Sequence, residues 1–153
     1  MRLRLVCVDR VRERYVAAAV DDFARRLRHY ESLEVVEVPA GHGADPQRAK
    51  HDEGVAVLRR IEPAERVWLL ERTGTEWTTM ELSARLGALA REGIPRLTFV
   101  IAGAYGPDGA LLARADTLWS LSKLTFLHEW ARALVLEQLY RAAKIARGEP
   151  YHH

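Results

Sequence analysis

Leu97-Thr98-Phe99-Val100-Ile101 runs directly into Ala102-Gly103-Ala104-Tyr105-Gly106-Pro107-Asp108-Gly109, and this junction decides the fold class. Five uncharged residues rich in β-branched and aromatic side chains read as a strand covered on both faces, as in a parallel sheet. Upstream, Gly93 and Pro95 stop a helix that opens at Thr78-Thr79-Met80-Glu81, a capping-box pattern ahead of Leu82, Leu86 and Leu89. Farther back, residues 67–70 form a short apolar strand, residues 46–60 a helix with Pro46 near its start, residues 41–45 a loop and residues 33–38 a strand. Val16, Val20, Phe23, Leu27 and Tyr30 recur at alternating steps of four and three, one apolar stripe of a helix. Residues 2–8 alternate with period two, placing Leu3, Leu5 and Cys7 on one face of a first strand.

Downstream of the junction, residues 111–115 form a short helical piece, and residues 117–126 fit a strand or a loop equally. Residues 127–147 form one long helix, apolar over much of its circumference. Strands alternating with helices predict an open, mostly parallel α/β sheet flanked by helices. No repeat, linker or low-complexity tract interrupts it, so residues 1–153 are expected to form one domain.

The chain has 153 residues, of which 48% are hydrophobic and 29% charged, values that suit a globular protein and not a disordered one. A single cysteine excludes a disulfide framework and a cysteine-rich zinc site, and suits a reducing cytoplasm. No apolar run is long enough to span a bilayer, and the N-terminus alternates charged and apolar residues where a signal peptide would be apolar. The net charge of +2 falls in residues 121–153, where Lys123, Arg132, Arg141, Lys144 and Arg147 outnumber Glu129, Glu137 and Glu149.

Several chemistries are disfavoured by what is missing. The first strand leads into Asp9-Arg10-Val11-Arg12 without a glycine, against a dinucleotide fingerprint or the commonest methyltransferase fold. There is no P-loop and no GxSxG elbow, and the six histidines show no metal-ligand spacing, so no metal is expected. What remains is Gly103, Gly106 and Gly109 after the last strong strand. Glycines there let a ligand approach the backbone at the carboxyl edge of the sheet, or simply make a tight turn around Pro107-Asp108-Gly109. On the last helix, Arg141, Lys144 and Arg147 share a face, as phosphate contacts need and as solvated basic faces also show. Arg132, near that helix's start, opposes the helix dipole and calls for a compensating group.

Leu121-Ser122-Lys123-Leu124-Thr125-Phe126, then His128, Arg132, Glu137-Gln138-Leu139-Tyr140-Arg141-Ala142 and the closing Pro150-Tyr151-His152 resemble the ribosomal RNA large subunit methyltransferase H family, of the SPOUT class. Val38-Pro39-Ala40-Gly41, Gly74 and Trp77 fit the same pattern, and the resemblance spans about residues 1–152. It implies a SPOUT-type α/β knot, in which the C-terminal segment threads a loop to make a deep trefoil knot. It also implies a homodimer that uses S-adenosylmethionine to methylate N3 of a pseudouridine in 23S ribosomal RNA on the assembled ribosome. Carried over by motif position, the cofactor contacts are Leu70, Ala102, Gly103, Leu121, Ser122, Lys123, Leu124, Thr125 and Phe126. The resemblance places His128, Arg132, Tyr140, Arg141, Tyr151 and His152 on the substrate side. There His128 would take the proton of the attacked nitrogen, and Arg132 would stabilise charge on the uracil ring. The chain departs from the family pattern at Ala102, where a glycine is usual, at Leu127, where a proline is usual, and in residues 41–45, which lack the usual lysines. Two other classes fit the residues: an RNA- or ribosome-binding protein of this fold without methyl transfer, and a nucleotide-binding α/β module without an RNA role.

Overall fold

The computed structural model describes residues 1–151. Five strands, β1 (Arg2–Val8), β2 (Leu33–Val38), β3 (Arg66–Glu76), β4 (Arg96–Ile101) and β5 (Thr117–Ser120), form one sheet in the order β2-β1-β4-β3-β5. Every pairing is parallel, so all strands end at one edge. The helices are α1 (Arg14–Leu27), α2 (Pro46–Leu58), α3 (Thr79–Arg91), α4 (Gly109–Arg114) and α5 (His128–Ala146).

Period-two alternation sorts the core into two layers. Leu3, Leu5 and Cys7 face α1, α3 and α5 together with Leu97, Phe99 and Ile101 of β4 and Trp68 of β3. Val6, Val8, Val67, Leu69 and Val100 face the other way, against Val57 of α2 and Leu111 of α4. Helix α5 packs against both α1 and α3, and this double contact accounts for its broad apolar circumference: Val135, Leu136, Leu139 and Ala142 are all buried. The sheet order and the central seat of α5 are consistent with the knotted SPOUT path. No helix among the described residues is long and apolar enough to cross a membrane.

Most element boundaries match the sequence pattern, including Thr78 as the N-cap of α3, with its full capping box. Two differ. The α1 stripe was expected to include Tyr30, but the helix ends at Leu27, and Tyr30 packs edge-on against Tyr140 from the following turn. Strand β3 continues six residues past Leu70, through an irregularity in which Leu70 and Thr75 both register with Trp119 of β5. Gly74 permits this: a β-carbon there would stand 2.5 Å from the Leu118 backbone. Residues 117–126 divide into strand β5 and the loop that follows it.

Candidate functional site

The carboxyl edge of the sheet carries a cleft of about 440 Å³, within the range of small-molecule sites. Three segments build it: the extension of β3 (Leu70, Glu71, Arg72), the loop after β4 (residues 102–107) and the loop after β5 (residues 121–126). Strand geometry explains the convergence, since parallel β3, β4 and β5 deliver their C-terminal ends side by side. Both loops are internally braced. The Gly106 N–H donates to the Gly103 carbonyl at 3.0 Å, so the glycine segment is both a turn and a cleft wall. In the second loop the Ser120 hydroxyl donates to the Ser122 carbonyl at 2.9 Å, and the Leu124 N–H donates to Ser122 Oγ at 3.1 Å.

Of the cofactor set expected from sequence, Leu70, Ala102, Gly103, Leu121, Ser122, Leu124, Thr125 and Phe126 line this cleft, and Lys123 does not. His128 lines it as well, and its buried Nε2 has no hydrogen-bond partner. Tyr105 and Trp119 complete the aromatic part of the wall.

Arg132 points elsewhere. The residue is 1% exposed, and its guanidinium donates to Glu37 Oε1 at 2.7 Å and to the Asp9 carbonyl at 2.8 Å, and so lies over the ends of β1 and β2. These are the groups that compensate a cation in the first turn of α5. The neighbouring Glu129 reaches the same segment, accepting the Arg12 N–H at 3.1 Å and the Glu13 N–H at 3.4 Å. The first turn of α5 therefore grips the β1–α1 loop while presenting His128 to the cleft. The gripped loop includes Asp9, whose φ of 68° is in the left-handed region. Burial raises the Asp9 carboxyl, but the Arg10 N–H, the Arg12 guanidinium and the His128 imidazole outweigh it and hold the group below its ordinary range.

Tyr140, Arg141 and Tyr151 lie toward the opposite end of α5. Twelve residues separate Tyr140 from His128, a rise of about 18 Å. Tyr140 stacks among Phe23 and Tyr30, with the Arg26 guanidinium 5.9 Å and Lys144 Nζ 5.8 Å from its ring. Arg141 donates to Glu137 and to the Tyr151 carbonyl. His152 lies outside the described residues. Among the described residues, no three His, Cys, Asp or Glu side chains converge as metal ligands would.

Three residues near the cleft escaped the sequence reading, for two different reasons. Glu71 and Arg72 follow the point where the apolar run of β3 ends, and only the Gly74 contact extends the strand to include them. Glu53 of α2 stands behind Gly103. Its signal was present: it is a carboxylate four residues from both Ala49 and Val57, on a helix's buried stripe.

The sequence profile of a family described as "Predicted SPOUT methyltransferase" matches residues 1–152. Proteins named ribosomal RNA large subunit methyltransferase H are similar over their whole length. The protein from Symbiobacterium thermophilum is 43% identical, covering 99% of this chain and 99% of its own. That from Gloeobacter violaceus is 42% identical, over 100% and 99%. That from Desulfitobacterium hafniense (strain DSM 10664 / DCB-2) is 39% identical, over 99% of each.

Proposed function

Because the chain belongs to the SPOUT methyltransferases, and among them to the ribosomal RNA large subunit methyltransferase H family, we propose a specific reaction for it. Membership makes it an enzyme that transfers a methyl group to ribosomal RNA. The proposed reaction is methylation of N3 of a pseudouridine in 23S ribosomal RNA, on the assembled ribosome in the cytoplasm, with S-adenosylmethionine as donor.

The observation that carries this reading is the unpartnered His128 Nε2 in the wall of a cleft built from backbone loops. The cleft fits an adenosine-bearing ligand. Leu70, Ile101, Trp119 and Leu121 provide apolar cover, residues 102–106 and 121–126 offer main-chain donors and acceptors, and Ser122 and Thr125 add hydroxyls. S-adenosylmethionine supplies, when bound, a methyl group on a positively charged sulfur. Catalysis by the chain is then mostly placement of a nucleophile in line with that group. His128 Nε2 is the atom that accepts the proton leaving the uracil N3, a buried acceptor that no group of the chain occupies. Arg132 enters as the anchor of the turn that aims His128, since its guanidinium is engaged by Glu37 and Asp9.

The RNA-side residues Tyr140 and Arg141 are too far along α5 to meet the cleft of their own chain, and Arg141 holds the Tyr151 carbonyl beside it. A second copy would bring them there, and the surface near the first turn of α5 suits one. Leu124, Phe126, Leu127, Trp130 and Tyr15 are all exposed, with the Tyr15 and Trp130 rings 5.9 Å apart. The proposal therefore includes a homodimer with composite sites.

The test is transfer of labelled methyl to ribosomes from cells lacking this enzyme, followed by mapping of the labelled nucleotide. Label at N3 of one pseudouridine is expected, with His128→Ala reducing the rate by two or more orders of magnitude. Ribosome binding without label would favour the RNA-binding protein without methyl transfer.

A further inference from the structure

Glu53 is 6% exposed and sits on α2 between the buried Ala49 and Val57. Its Oε1 accepts the Gly41 N–H at 3.0 Å, where the chain leaves β2. Its Oε2 is buried and has no hydrogen-bond partner. That oxygen lies against Gly103, where a β-carbon would stand 2.6 Å from it. The glycine loop returns the contact: a β-carbon on Gly54 would stand 2.6 Å from Asp108 Oδ1. Helix α2 and the cleft loop interlock, each seating a carboxylate on the other's glycine.

The two acids differ in one respect. Asp108 Oδ1 accepts the Leu111 N–H at 2.8 Å as the cap of α4, whereas Glu53 Oε2 is stranded. Interlocking alone does not call for a charge, because an uncharged side chain of similar size would fill the space without burying an unpaired oxygen. A carboxylate one residue behind the cleft wall, screened from water, projects negative potential into the cleft.

We propose that Glu53, acting through the Gly103 wall, makes the cleft prefer a ligand bearing positive charge near the glycine loop over the same ligand without it. This rests on the reading of the cleft as the S-adenosylmethionine site. S-adenosylhomocysteine, the spent product, lacks the positive sulfur and otherwise keeps the same groups. Glu53 is thus a specificity-determining residue that favours the loaded donor and eases departure of the product.

The test is calorimetric titration of S-adenosylmethionine and S-adenosylhomocysteine into the wild-type, Glu53→Gln and Glu53→Asp proteins. Glutamine keeps the size and the acceptor for Gly41 while removing the charge. It should weaken S-adenosylmethionine about tenfold and leave S-adenosylhomocysteine within twofold. Aspartate keeps the charge, so it should preserve the ratio of the two affinities even where the shorter side chain loosens both. Equal weakening of both ligands by glutamine, or no change in either, overturns the proposal and leaves Glu53 as packing. Wild-type protein that binds neither ligand overturns the S-adenosylmethionine reading itself, and this inference with it.

Discussion

The Arg132 guanidinium stands 2.7 Å from the Glu37 carboxylate, with the arginine side chain 2% exposed and its partner 47% exposed. That asymmetry makes the two ends of one ion pair unequal. Removing the Glu37 charge leaves a buried guanidinium with the Asp9 carbonyl as its remaining partner among the described residues, whereas removing Arg132 leaves a carboxylate half open to water. Glu37→Gln is therefore expected to cost about 2 kcal/mol or more, because a buried charge loses its counter-ion, and Arg132→Met combined with Glu37→Gln should cost less than Glu37→Gln alone. Urea unfolding of the single and double variants checks this, and a loss below about 0.5 kcal/mol for Glu37→Gln would contradict it.

At the opposite, amino-terminal edge of the sheet, Glu65 is ringed by the Thr98 hydroxyl, Arg96 at 2.7 Å and Arg4 at 3.0 Å. Burial raises its carboxyl, but the bonds from Thr98 and Arg96 and the charge of Arg4 outweigh it and hold the group below the ordinary glutamate range. With the folded value below the unfolded one, the unfolded chain binds more protons on acidification. The stability is therefore present above the unfolded value and lost as pH falls through the folded one. Glu65→Gln should cost about 2 kcal/mol at pH 7, and the gap to wild type should narrow as pH falls below the ordinary glutamate range. A gap constant with pH would place the effect in packing.

Cys7 lies under Arg132, between β2 and β4, and is fully buried. Burial pushes its thiol up to about 12, with Arg132 pulling it down and Glu37 adding to the rise. The folded protein should therefore resist an aromatic disulfide reagent at pH 8 and react only as fast as it opens. The folded value exceeds the unfolded one, so this contribution is complete below the ordinary thiol range and is lost as pH climbs toward 12. Rapid stoichiometric labelling of native protein would contradict the burial.

Leu127, 69% exposed, caps α5 with φ −58° and ψ 136°, angles that proline adopts without strain. Leu127→Pro should raise stability by about 0.5 kcal/mol through the unfolded chain's lost freedom. Thermal unfolding checks it. A lowered Tm would show that the Leu127 side chain or N–H supports the start of α5.

The strands and long helices were legible because burial on two faces and the 3.6-residue stripe leave plain marks: the uncharged run of β4, the capping box at Thr78, the heavy apolar content of α5. The loop after β4 was legible as a ligand wall only by its glycines, and Gly103 has a further role, since the space beside it is taken by Glu53. No spacing rule connects residue 53 to residue 103, because their meeting depends on α2 crossing the end of β4 in space. The partners of Arg132 were hidden in the same manner. A cation near a motif histidine reads as part of the chemistry, and only its packing onto Glu37 and Asp9 shows where the guanidinium goes. The end of β3 was hidden because the contact that extends it lies between backbones.

The span of α5 has a genetic consequence. His128 and Arg141 lie on one rigid helix, so in a pair of chains with composite sites each protomer gives one group to its own site and the other to its neighbour's. Mix a His128→Ala chain with an Arg141→Ala chain, each inactive as a pure pair. The mixed pair then has one site lacking both groups and one lacking neither. With the proposed composite dimer, two dead alleles of this protein should complement each other, each mixed pair regaining up to half the activity of a wild-type pair.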